Sequence, residues 1–206
     1  MAENTPVKIG LNEVQSGLAG VNAPAANPPA KAAAAPAQVP QEKVTVLRQD
    51  SGTNLTLSIS PAYRWAQAVR FTPPRSGWNL ENILVMATDG WNATSKELPK
   101  PLPFTIEIRD DNLTLLYHYE GIQLPFFTNS TGVIMAYIDV PLMPMKRDFF
   151  VCFNGYGSIY LAAEQQNATG NSYYYDELSS QLYRGMLPFR NNQNIPVNWL
   201  IRVAGQ

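Results

Sequence analysis

Proton transfer near neutral pH, nucleophile activation and zinc binding all draw on imidazole, so the single histidine is where chemistry would concentrate. His118 lies in "LLYHYE", between Tyr117 and Tyr119. That alternation predicts a strand position with a cross-strand polar partner rather than a catalytic centre. The single cysteine, Cys152, stands in "FFVCFN" among aromatic residues, where a buried structural thiol is expected and no intrachain disulfide can form. One His and one Cys do not supply the roughly four N or S donors of a zinc site. A glycosidase would instead need two carboxylates facing one bond. Glu81, Glu107, Asp139, Asp148, Glu164, Asp176 and Glu177 are the candidates, and most fall where solvent-facing strand or loop residues are expected. "DGWNATS" at 89–95 and "RDDNLT" at 109–114 carry oxygen donors, yet they lack the spaced acids of a calcium loop and read as turns. The glycines of "NGYGS" are expected to make a hairpin between two strands rather than cradle a phosphate. The expectation is a protein that is not an enzyme, with no catalytic residue, no metal and no cofactor.

Two other groups of residues point outward from the fold. Asn54, Asn92, Asn112, Asn129 and Asn167 each begin an Asn-x-Ser/Thr acceptor pattern, which places candidate glycosylation on surface loops of an exported chain. Trp78, Trp91, Tyr173, Tyr174 and Tyr175 are candidates for a subunit interface or a glycan-stacking platform, since ring faces serve both. Three consecutive tyrosines cannot all face inward on one strand, so at least one must point out.

The elements that would carry these residues are strands. From residue 44 onward short apolar runs recur between Pro, Gly, Asn and Asp clusters: "VTVLR", "NLTLSIS", "QAVRF", "NILVMA", "FTIEIRD", "LTLLYHY", "VIMAYIDV", "DFFVCFN", "GSIYLAA", "SYYYD" and "VNWLIRV". In "NLTLSIS", Leu55, Leu57 and Ile59 are expected to face the core, with Thr56, Ser58 and Ser60 facing solvent. "FTIEIRDDNLTLLYHY" predicts a hairpin turning at Asp110, Asp111 and Asn112. "FTPPRSGW", "LPKPLPF" and "VPLMPM" are expected between strands, because proline cannot donate to a ladder. About ten antiparallel strands without a competing amphipathic helix predict an all-β, two-sheet sandwich, jelly-roll-like, over residues 44–206.

Residues 1–43 are different in kind. They contain no aromatic residue, and "NPPAKAAAAPAQVPQEKV" interrupts its alanines with proline, so an extended, partly polyproline-like arm is expected. Near its start, "PVKIGLNEV" sets Val7, Ile9 and Leu11 on alternate positions, with Val14 shortly after. That is the pattern of a docking strand able to add to an exposed sheet edge of a neighbour. The opening residues lack the basic start and apolar run of a signal peptide, and no stretch has the length of a membrane span. With a formal net charge of −1 and 15% charged residues, no basic field for nucleic acid or anionic membrane is expected.

"WAQAVRFTPPRSGWNLENILV", "FTIEIRDDNLTLLY", "DFFVCFNGYGSIYLAAE", "NSYYYD" and the closing "NWLIRVAG" together resemble a module of archaeal, often methanogen, secreted and cell-surface proteins. The resemblance spans about residues 62–204 and leaves out the arm. It implies a β-sandwich attached to other parts and an archaeal or archaeal-virus source, and its motifs carry no catalytic residue. The resulting expectation is a structural assembly protein, a capsid or capsid-decorating subunit of an archaeal virion. Its arm would dock on copies of itself, and its partners would be other proteins of the same assembly. The alternatives are an archaeal cell-surface or extracellular filament subunit joined by strand donation, and a carbohydrate-binding adhesin module.

Overall fold

The computed structural model describes residues 43–92, 94, 98–129, 132–189 and 193–206. The first strand among the described residues begins at Thr45. Val7, Ile9, Leu11 and Val14 lie outside the described residues.

Among the described residues fifteen strands form: β1 (Thr45–Leu47), β2 (Leu55–Ser58), β3 (Trp65–Phe71), β4 (Asn79–Thr88), β5 (Pro103–Asp110), β6 (Leu115–Ile122), β7 (Ile134–Pro144), β8 (Phe149–Asn154), β9 (Tyr160–Glu164), β10 (Ser172–Asp176), β11 (Gln181–Arg184), β12 (Met186–Pro188), β13 (Asn194–Pro196), β14 (Asn198–Trp199) and β15 (Ile201–Gly205). One sheet has seven strands in the order β1-β15-β4-β9-β14, with β2 added on β9 and β7 on β4. The other has six, in the order β11-β10-β3-β8-β5-β6, and β12 and β13 form a separate ribbon. The two large sheets are antiparallel and pack face to face as an all-β sandwich. Ile83, Val85, Leu161 and Val203 of the first meet Val69, Phe71, Ile106 and Phe153 of the second in one buried core. Trp78 and Trp199, both fully buried, fill its largest spaces.

The β5–β6 hairpin forms in the expected register, with Thr105 opposite Glu120 and Glu107 opposite His118. Its turn is closed by the Asp110 carboxylate, whose Oδ1 accepts from the Asn112 N–H at 2.9 Å and the Thr114 N–H at 2.7 Å.

Four expectations need correction. Leu55 and Leu57 on β2, and Ile59 just beyond it, point outward, whereas Ser58 and Ser60 are buried. The "VPLMPM" segment does not lie wholly between strands, because Pro141 and Pro144 fall within β7. Among the described residues β7 pairs with β4 alone and is therefore an edge strand, the kind of strand that tolerates proline because one side of its ladder is unpaired. "NGYGS" does not make a hairpin: β8 and β9 on either side of it belong to different sheets, so the turn carries the chain across the sandwich. Finally, β11, β12 and β13 were not expected, since three or four residues leave too few alternations to register as a pattern.

Candidate functional site

The reversal of β2 creates the most unusual surface of the domain. The inner end of the strand meets polar groups, so its serines are the residues that fit there. Ser60 Oγ bonds the Ala62 carbonyl at 2.9 Å and also the Trp65 carbonyl, and buried Gln67 donates to the Ser58 carbonyl at 3.3 Å. With the even positions turned in, pleating forces the odd positions out. Leu55, Leu57 and Ile59 are 41%, 44% and 37% exposed. Among the described residues β2 pairs only with β9, which leaves its other edge open there.

The rest of that outer face is also rich in apolar side chains. Leu57 lies opposite Ala162, and Tyr160, two positions along β9 on the same face, is 40% exposed. On β4, Ile83 and Val85 enter the core, so Leu84 and Met86 face out, where Leu84 lies opposite Tyr137 and Met86 opposite Met135. Tyr137 is 67% exposed. Leu84 and Ala162 are covered on this face, while Leu55, Leu57, Tyr137 and Tyr160 remain exposed on it.

A polar clasp holds the loop before β2 against this face. Asp50 receives Arg202 Nε at 3.1 Å and Nη2 at 2.5 Å. Glu164, 1% exposed, accepts the Ser51 N–H at 2.8 Å, the Ser51 hydroxyl, the Thr53 hydroxyl at 3.5 Å and the Asn198 amide at 3.4 Å. Burial pushes this carboxyl up, and the hydrogen bonds from Ser51, Asn198 and Thr53 outweigh it and leave the group below its ordinary value. Arg202 stays firmly cationic beside Asp50.

The opposite outer face, on the six-stranded sheet, covers itself. Ala66, Ala68 and Cys152 lie under Phe150 and Tyr175 in a second buried cluster, and Arg109 caps the Tyr175 ring 4.5 Å from its centroid. This corrects the expectation for the aromatic candidates. Trp78 is fully enclosed beside Phe149. Tyr174 turns inward against Trp199, at 5.2 Å between centroids, and Tyr175 is 1% exposed. None of these three can meet a glycan or a partner, because each fills a space the sandwich would otherwise leave empty. Tyr173 is half-buried on the outer face, edge-on to Phe150, and Trp91 lies half-buried in the loop after β4. Tyr183, which the sequence also offers as a stacking ring, is 42% exposed and stacks on Trp65 at 5.3 Å; the more exposed Tyr63, 4.7 Å from Tyr156, is the ring that sequence reasoning passed over.

His118 takes the expected cross-strand position, with Nδ1 3.3 Å from Glu107 and Nε2 3.0 Å from Glu120. Burial pushes the Cys152 thiol far up, which removes its thiolate and its reactivity. The other carboxylates are dispersed among separate partners: Asp148 with Arg70, Asp176 with Ser179, Glu177 with Asn154 and Asp139 with Asn82. Among the described residues no three His, Cys, Asp or Glu side chains are placed to hold a metal ion, and no helix is long and apolar enough to cross a membrane. All five sequon asparagines lie outside strands, and Asn54, Asn92, Asn112 and Asn167 are exposed, with Asn129 half-buried.

Compared with protein-family models and with curated proteins, the chain matches none.

Proposed function

We propose that this chain is a non-enzymatic structural subunit that assembles with copies of itself, as a capsid or capsid-decorating protein of an archaeal virus. The observation that carries the reading is the outward apolar face of the seven-stranded sheet, where β2 presents Leu55 and Leu57 beside an open edge. Covering a half-exposed Leu, Ile or Tyr is worth about 1 kcal/mol, so several together support a stable contact when repeated over many subunits. The arm, with Val7, Ile9 and Leu11 on alternate positions, is the segment proposed to dock on neighbouring subunits by strand addition.

The test is light scattering and electron microscopy of the full chain beside a Leu55→Asp/Leu57→Asp variant. The wild type is expected to form a defined assembly, and the variant to remain monomeric with its thermal unfolding unchanged, since both side chains lie outside the core. A wild type that stays monomeric at tens of micromolar, or a variant that assembles normally, rejects the reading.

A second reading, an archaeal cell-surface or filament subunit, is favoured by the sequons, whose asparagines all sit on loops. Glycopeptide mass spectrometry of protein from its native source separates the two. Occupied Asn54, Asn92, Asn112 or Asn167 supports export to a surface, and bare asparagines in a purified particle support the virion.

A further inference from the structure

The positive charge of this nearly neutral chain is not spread evenly. Three segments meet at one end of the six-stranded sheet: the 72–77 loop after β3, the 144–148 connection from β7 to β8, and Asp111 at the tip of the β5–β6 hairpin. They border a half-open cavity of about 790 Å³ lined by Arg70, Arg75, Lys146 and Arg147 together with two carboxylates, Asp111 and Asp148. The lining thus carries four cationic side chains and two carboxylates, in a chain whose formal total is −1.

The walls are held in place before any ligand arrives. Arg70 grips Asp148 through Nε at 2.8 Å and through Nη2, and the Thr72 hydroxyl and then Arg70 hold that carboxyl below its ordinary value. The Met145 N–H donates to the Trp78 carbonyl at 3.0 Å, which ties the second segment to the first. Pro73 and Pro144 stiffen the two sides. By contrast Arg147 reaches Asp111 only at 3.4 Å, and its side chain is 74% exposed, so it is available to an incoming group. Gly77, with φ +76°, has open space where a Cβ would project, which lets a ligand approach the backbone closely.

We infer that this cavity is a binding site for an acidic saccharide, one that carries carboxylate or sulfate groups along a sugar chain. The size and the mixture of lining groups select that class. A single oxyanion would fill only a fraction of 790 Å³, and it would use donors alone. Here the cations stand beside the Thr72 and Ser76 hydroxyls and the Asp111 carboxylate, which suit sugar hydroxyls, and beside the flat apolar surfaces of Pro73 and Pro144. The site lies apart from the β2 face, so the inference is independent of the assembly reading.

Calorimetric titration of the full chain with tetragalacturonate, a neutral galactose tetramer and inorganic sulfate tests it. The acidic tetramer is expected to bind with an affinity that falls as salt rises, and the neutral tetramer and sulfate to bind far more weakly or not at all. Lys146→Ala/Arg147→Ala is expected to weaken acidic binding by about tenfold without moving the thermal midpoint, because both residues are exposed. Lys146→Glu alone should weaken it as well. Absence of acidic-tetramer binding, equal binding of the neutral tetramer, sulfate binding as tight as the tetramer's, or indifference to both variants overturns the inference.

Discussion

Glu164 shows how one carboxylate can organise a surface. It is enclosed on the outer face of the seven-stranded sheet, where it collects donors from Ser51, Thr53 and Asn198. An ionised group costs several kcal/mol to bury unless such donors replace its water. Its pKa in the folded chain lies below the ordinary 4.5, so the folded state favours the charged form more than the unfolded state does. The resulting stabilisation is present in full above about pH 4.5 and is lost as the pH falls through the folded value. Glu164→Gln should therefore cost about 1–3 kcal/mol at pH 7 and should flatten the decline in stability between pH 6 and 3. Denaturant midpoints measured across that range check it, and parallel pH profiles for the two proteins would refute it.

Among the elements, β15 shows how close packing fixes a residue type. It lies between β1 and β4, and at its end a register shift between Ala204 and Gly205 brings the backbone against Trp78. Asn79 and Gln206 exchange backbone hydrogen bonds of 2.7 and 3.1 Å there. A Cβ on Gly205 would collide with the Asn79 carbonyl and would lie 2.6 Å from the Trp78 ring. Neither neighbour is a flexible side-chain tip that can move aside. Gly205→Ala is expected to destabilise the domain by about 3 kcal/mol, read as a lowered denaturant midpoint. An unchanged midpoint would show that the strand end yields more easily than the packing implies.

At the scale of the whole molecule, the main core cluster among the described residues runs from Val69 to Val203, and the first described strand begins at Thr45. The fragment 44–206 should therefore fold alone and unfold cooperatively, with a midpoint close to that of the full chain. Assembly is where the two should part, because on the proposed reading the fragment keeps the β2 face and lacks the docking strand. A fragment without a cooperative transition would show that residues 1–43 contribute to the core after all.

Much of the architecture was legible in the residues. Period-two alternation in "FTIEIRD" and "LTLLYHY", separated by Asp-Asp-Asn, dictates a hairpin because the turn chemistry and both strand faces agree. The buried thiol of Cys152 and the cross-strand place of His118 follow from the same local patterns. The face of β2 did not follow. Its alternation is clear, yet a single strand's pattern states only that two faces differ; which face meets the core depends on Trp65 and Gln67, which belong to β3 in the other sheet. Likewise nothing local told whether "NGYGS" closes a hairpin or crosses between sheets, or that Trp78 and Tyr175 would be enclosed rather than displayed. The cavity cations were equally hidden, since Arg70, Arg75, Lys146 and Arg147 are separated by up to 77 residues of chain, and charge adds up in space, not along the sequence. Local alternation and turn chemistry thus determined strands and hairpins. Only the tertiary structure decided which faces and charges came together, because those depend on how separate elements pack against one another and not on the pattern within any one of them.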